Sequence, residues 1–193
     1  MNYHVEEINH LIRHRRSVFP EQYSGNEVDK KIIEQILYNA TWAPTHGMTE
    51  PWQFFVFTGE KKKELAQIQA DLYKKNTPVE KFRQEKYDKF FRNHQLASHI
   101  IAICMKRQAS KQIPEIEEIA SVACAVQNMY LTATAYKVGC YWSTGGMTYM
   151  EEAKDFFGLG ENDKLMGLFF IGEIAQPSKD IQRTNVQEKV FWL

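Results

Sequence analysis

Charge of one sign is what this sequence most lacks: 24 lysines and arginines balance 24 aspartates and glutamates across 193 residues. No overall basic field draws the chain to nucleic acid or to an anionic membrane, so any anion site must be local. Cysteine is scarce. Cys104, Cys124 and Cys140 lie far apart in apolar stretches, with no C-x-x-C pair and no histidine at metal-ligand spacing. That pattern predicts structural burial of the thiols and fits a reducing cytoplasm. No window is apolar over the length of a membrane span, and MNYHVEEINH carries charges where a secretory signal needs an apolar core.

The common catalytic and phosphate-binding motifs are also missing. No G-x-G-x-x-G follows a strand and no G-x-x-x-x-G-K-[ST] occurs, which removes two familiar phosphate loops. GLGEND, residues 158–163, is too short for either and reads as the loop after a helix. Neither G-x-S-x-G nor H-E-x-x-H is present, and His94 and His99 are five apart, a spacing that misses one helical face. They read as surface or core residues, and His4 and His10 as part of a solvated helix face. Hydrolase and metalloenzyme readings lose their support, and no metal site is expected.

What remains is the composition of one globular unit, residues 1–193, with 44% hydrophobic and 25% charged residues. Val5, Ile8, Leu11 and Ile12 predict an amphipathic helix ending near Arg15 or Arg16. Asn26 reads as the N-cap of a second helix that carries Val28, Ile32, Ile33, Ile36 and Leu37 and stops before Pro44. Trp52 to Thr58 and Ser98 to Met105 read as buried strands, separated by a helix through Leu65, Ile68 and Leu72. Between them lies a charged excursion with Val79, Phe82, Phe90 and Phe91 at helical spacing.

Residues 116–138 form a helix apolar nearly all round, with Gly139 as its expected C-cap. A strand through GCYWST, a short helix near Met150 to Phe157 and a strand from Leu165 to Ile174 follow. Residues 175–193 form an extended tail ending in Val190, Phe191, Trp192 and Leu193. Strands separated by helices predict a three-layer mixed α/β arrangement. The apolar helix and tail point to a core shared with a second subunit.

Three stretches are candidates for chemistry. RHRRSVFP, from Arg13, is either a basic helix end or a phosphate grip made by two guanidiniums and a hydroxyl. His46, in ATWAPTHGMTEPW, is either an ordinary turn histidine or a ligand contact in a loop ahead of a strand. WSTGG, from Trp142, is either a tight turn or a place where backbone approaches a ligand. Trp42, Trp52 and Trp142 are core or interface aromatics, any of which could wall a planar ligand.

Taken together, RRS at Arg15, AP-TH-GMTEPWQFFVF at Ala43, the long helix, WSTGG, and FFIGEIAQPSKDIQR at Phe169 resemble the FMN-dependent nitroreductase family nearly end to end. The resemblance is to its small single-domain NAD(P)H nitroreductases. It implies an α+β, three-layer α/β/α fold whose central mixed, mostly antiparallel sheet is flanked by helices in an intertwined homodimer. FMN would lie in the dimer interface, with NAD(P)H as electron donor and a ping-pong transfer to a nitroaromatic, quinone or similar small-molecule acceptor.

By position, Arg15, Arg16 and Ser17 resemble the segment that holds the FMN phosphate and ribityl chain, and Arg183 the C-terminal basic residue that closes on that phosphate. Trp42 and His46 match positions that contact the flavin from the second subunit. Trp142, Ser143, Thr144 and Gly145 resemble the turn along the isoalloxazine ring near N5. Phe19 stands where many members have a second basic residue, and Met48, Thr49 and Glu50 stand where many have Asn-Arg-Gln. Phe82, Phe90 and Phe91 are expected to line the pocket. Two other readings stay open: an FMN enzyme for one metabolite, by dehydrogenation or reductive dehalogenation, and a non-catalytic flavin-binding or sensing protein.

Overall fold

The computed structural model describes residues 3–110 and 112–193. Four strands make one sheet in the order β1-β2-β4-β3: β1 (Trp52–Phe57), β2 (His99–Met105), β3 (Val138–Ser143) and β4 (Lys164–Glu173). Each neighbouring pair is antiparallel, so the antiparallel part of the expected sheet is present, and the described strands form no parallel pair.

β2 is buried along its whole length because both of its faces are covered. Ile101, Ile103 and Met105 join Phe169 and Ile171 of β4 in the core under α2 (Lys30–Ala40) and α5 (Glu115–Ala135). Ile100, Ala102 and Cys104 join Leu168 and Phe170 on the opposite face. There they pack against α3 (Gly59–Lys75) and α6 (Glu152–Phe156), with α4 (Gln84–Leu96) lying against α3. Alternation along each strand thus sends side chains to two separate cores, which gives the three layers.

β1 departs from expectation. Its residues are half-buried and Val56 is exposed, because it is an edge strand rather than an interior one. α1 (Val5–His14) forms as expected, yet Val5, Ile8 and Ile12 on its apolar stripe remain exposed in the single chain.

Two predicted helix boundaries fall elsewhere. Asp29, not Asn26, caps α2 by accepting the Lys31 N–H at 2.9 Å. Asn26 donates instead to the Glu173 carboxylate at 2.6 Å, tying the segment before α2 to the end of β4. At the end of α5 the left-handed residue is Lys137, with φ 57°, and Gly139 lies inside β3.

The glycine there serves close approach. It pairs in register with Gly172, and a Cβ at Gly139 would lie 3.0 Å from the Tyr23 ring and one at Gly172 2.4 Å from it. Tyr23 lies across this glycine pair and donates its hydroxyl to the Phe170 carbonyl at 3.1 Å. Cys104 and Cys140 are buried, and burial raises both thiols well above their ordinary value. Cys124 is exposed on α5, contrary to expectation, because it sits on the stripe with Ala120 and Gln127 that faces away from the sheet. No helix among the described residues is long and apolar enough to cross a membrane.

Candidate functional site

α1 ends at His14, and Arg15 to Val18 continue as an extended segment beside β3, where the Val18 N–H donates to the Cys140 carbonyl at 2.9 Å. The edge of β3 therefore fixes where the basic cluster points. Arg15, Arg16 and Ser17 line one pocket of about 480 Å³ with Phe19, Gln22, Ser178, Lys179, Ile181 and Arg183. The two ends of the chain are stitched together there. Ser178 donates its hydroxyl to the Ser17 carbonyl at 2.8 Å, and Gln22 donates to the Gln176 carbonyl at 3.1 Å.

Arg15 lies with its guanidinium carbon 4.9 Å from the centroid of the Tyr130 ring. Arg16 is held differently: it donates to the Arg13 and Arg15 carbonyls and lies 3.7 Å from the exposed Asp180 carboxylate. Its Nε is buried without a hydrogen-bond partner. Phe19 is 47% exposed and its ring packs on Tyr141 at 4.5 Å, tilted by 44°. Lys179, from the tail, lines the same pocket as Phe19.

The turn after β3 begins at Trp142, whose backbone N–H donates to the Tyr130 hydroxyl at 2.7 Å. That hydroxyl also meets the Ser17 hydroxyl at 3.5 Å. Ser17 and Trp142 are thus joined through one side chain. Ser143 is half-buried, while Thr144 and Gly145 are exposed. Trp142 and Thr144 line a second pocket of about 480 Å³ with Thr148, Tyr149, Lys164 and Met166 among others.

His46 stands apart from this group. It opens a loop in which Gly47, Met48 and Glu50 all have positive φ, at 59°, 52° and 44°. For the two non-glycine residues that is strain of about 1–3 kcal/mol each, of the kind concentrated at functional sites. The Thr45 hydroxyl holds the loop closed by pairing with Thr49 Oγ1 at 3.0 Å and accepting the Glu50 N–H at 3.1 Å. His46 Nδ1 pairs with the Glu117 carboxylate in the first turn of α5. Glu117 and Tyr130 are thirteen residues apart on α5, which at 1.5 Å per residue is about 20 Å. Trp42 is 71% exposed and touches Tyr38 edge-on. Neither Trp42 nor His46 lines the pocket around Arg15.

Phe82 and Phe90 pack within the chain. Both rings pack on Tyr73 of α3, at 5.4 and 5.7 Å, and Phe91 lines a groove between α3 and α4 with Lys62 and His94. The aromatic line of the excursion holds two helices together, and these rings do not line the pocket around Arg15.

Sequence reasoning missed Lys179 and Tyr130. Lys179 lies four residues before Arg183 in the same segment, a spacing that could have signalled it. Tyr130 is indistinguishable in sequence from the core residues around it.

The chain is similar to several proteins over nearly its whole length. "Putative NAD(P)H nitroreductase YfhC" of Bacillus subtilis is 24% identical over 93% of this chain and 90% of its own. The crystal structure of a nitroreductase-like family protein from Bacillus cereus superposes with a TM-score of 0.85 at 26% identity, covering 100% of this chain and 98% of that one. The FMN-dependent nitroreductase NfnB of Mycobacterium smegmatis, solved in complex with NADPH, gives 0.76 at 17% identity over 98% of this chain and 99% of its own. A model described as the Nitroreductase family matches residues 12–173, a span that takes in all four strands, and the chain belongs to that family.

Proposed function

We propose that this chain is an FMN-dependent oxidoreductase that moves electrons from NAD(P)H to nitroaromatic, quinone or similar electrophilic acceptors by a ping-pong mechanism. The observation that carries this reading is the convergence of Arg15, Arg16, Ser17, Lys179 and Arg183 on one pocket that connects through Tyr130 to the Trp142 turn. The donor set fits a phosphate: four cations and a hydroxyl line one pocket, and among the described residues the buried Nε of Arg16 has no partner. A phosphate at one end and a glycine-bearing turn at the other suit an extended cofactor with an anionic tail and a flat ring. The relatives named for FMN or NAD(P)H support the same assignment.

The chemistry that bound FMN supplies is hydride transfer, two electrons at a time, and the protein supplies binding and orientation. Arg15, Arg183 and Lys179 would neutralise the FMN phosphate, and Ser17 would donate to it. Past the end of β3, the backbone N–H groups of the exposed Thr144 and Gly145 would be available to the ring, where they would favour added negative charge. Donor and acceptor would occupy the site in turn, a scheme that calls for no triad or metal.

His46 pairs with Glu117, which lies about 20 Å along α5 from Tyr130, and this supports assigning Trp42 and His46 to a second copy's site. We therefore place two FMN molecules at the interface of a homodimer, each held by both subunits. The chain acts as one domain, residues 1–193, and its three free cysteines fit the reducing cytoplasm.

Purified protein should be yellow, release FMN on denaturation, and bleach when NADH or NADPH is added without oxygen. Addition of a nitroaromatic or quinone should restore the colour. Colourless protein that does not take up FMN overturns the proposal, and bound flavin that neither nicotinamide bleaches overturns its enzymatic part.

A further inference from the structure

Tyr130 is a buried residue of a core helix, yet its polar end faces the site rather than the core. Its ring packs edge-on against Phe169 at 5.0 Å on one side and lies under the Arg15 guanidinium on the other. Its oxygen accepts the Trp142 N–H at 2.7 Å. That bond uses a lone pair and leaves the phenolic proton free to donate, and the hydroxyl it meets is that of Ser17 at 3.5 Å. Burial raises the phenol above its ordinary value, so it keeps that proton at neutral pH.

We propose that Tyr130 is a positioning residue that fixes the direction of the Ser17 hydroxyl proton and the place of Arg15, and thereby makes the site prefer a phosphorylated flavin to an unphosphorylated one. This rests on the FMN reading above. A chain of donors runs one way, from the Trp142 N–H to the Tyr130 oxygen and from the Tyr130 O–H to Ser17 Oγ. Ser17 then has its own proton left for an oxyanion in the pocket. With Tyr130 absent, the Ser17 hydroxyl is free to turn and accept, which presents a lone pair to an anion instead of a proton. The Ser17 carbonyl is already engaged by Ser178, so the segment itself stays in place while the hydroxyl direction is lost.

The test measures dissociation constants of FMN and riboflavin, by flavin fluorescence, for the wild type, Y130F, S17A and the double variant. Phe keeps the ring under Arg15 and against Phe169. Y130F should weaken FMN by about three- to tenfold, the scale of one neutral hydrogen bond acting through a charged one. Riboflavin, which lacks the phosphate, should lose less, so the preference for FMN falls. Adding S17A to Y130F should cost far less than S17A costs alone, because the two act in series.

Equal losses for the two flavins, or additive losses in the double variant, overturn the proposal. Wild-type protein that binds neither flavin overturns the FMN reading and this proposal with it. Circular dichroism checks that Y130F folds; if it does not, S17A alone decides, because Ser17 is only half-buried and its loss must lower the FMN preference. An S17A protein that keeps the full preference overturns the proposal.

Discussion

The Arg15 guanidinium is stacked over the face of Tyr130, 4.9 Å from the ring centroid, at a pocket that two further cations, Lys179 and Arg183, also line. A cation held by a ring rather than by a carboxylate keeps its hydrogen-bond donors available. Arg16, bound to two carbonyls and near Asp180, has fewer to offer. Arg15→Ala should therefore weaken FMN by about 1.5–3 kcal/mol, the value of a hydrogen bond to a charged group, which is roughly ten- to 150-fold in dissociation constant. Arg15→Lys should fall between, since an ammonium neither stacks nor forks. Fluorescence titration checks both; unchanged affinity in Arg15→Ala moves the phosphate away from Arg15.

His94 is 2% exposed, and its Nδ1 donates to the Phe90 carbonyl at 2.7 Å, leaving Nε2 buried without a partner. Burial pushes its pKa down to about 4, against 6.5 for an ordinary histidine, and the Lys62 ammonium acts in the same direction. The unfolded chain takes up a proton near pH 6.5 that the folded chain refuses until about pH 4. The stability this histidine contributes is thus complete above pH 6.5 and declines as pH falls toward 4, by up to about 3 kcal/mol. His94→Phe removes that linkage. Urea unfolding at pH 7, 5.5 and 4.5 should show a flatter pH dependence in the variant. His99, whose pKa burial also lowers, leaves a remainder of the same sign in both proteins. Parallel curves for wild type and variant would show that His94 carries no such linkage.

How much of this was legible depends on how far apart the causes lie in the chain. β2 could be read directly because a strand covered on both faces must be apolar throughout, and residues 99–105 are buried without exception. Asn26 misled because its competitor for the amide, Glu173, lies 147 positions away. Gly139 misled for the same reason: what forbids a side chain there is Tyr23, brought across the strand by the fold. Cys124 is exposed because α5 has a face the sheet does not cover, and a helix apolar all round gives no sign of which face that is.

Within the site, Arg15, Arg16 and Ser17 are neighbours and could be read as one grip. Arg183 joined them through family resemblance. Tyr130 required the fold, since it reads as core, whereas Lys179 stood in the sequence as a tail charge four residues before Arg183. The spacing of Phe82 and Phe90 correctly marked a packed face, but spacing carries no information about the partner, which proved to be Tyr73.

The uncovered apolar surface makes a prediction about assembly. Phe191 and Trp192 are 82% and 95% exposed, and Val5, Ile8 and Ile12 on α1 are also open to solvent in the single chain. Burying one such large side chain is worth about 1.5–3 kcal/mol. Sedimentation should find a dimer. Removal of residues 190–193 should weaken it by tenfold or more while leaving the secondary structure intact. A monomeric wild type would contradict the two-subunit site, and an undiminished dimer after truncation would free the tail of any part in it.

The Trp142 turn is held from beneath by Gly167 of β4, and this separates two glycines that look alike in sequence. Gly167 has φ 136°, and a Cβ there would lie 2.5 Å from the Ser143 carbonyl and 2.6 Å from Trp142 Nε1. Gly167→Ala must therefore displace the start of the turn as well as strain its own backbone, at a cost on the order of 2–4 kcal/mol. It should lower the melting temperature and weaken flavin together. Gly145 has φ −101°, and a Cβ there would meet nothing within 4 Å. Gly145→Ala should melt within a degree or two of the wild type yet bind flavin more weakly, because the added methyl lies where the ring approaches the backbone. Comparing melting temperatures with FMN dissociation constants checks the pair. If Gly145→Ala leaves FMN affinity unchanged, the ring does not pack along the turn at that residue.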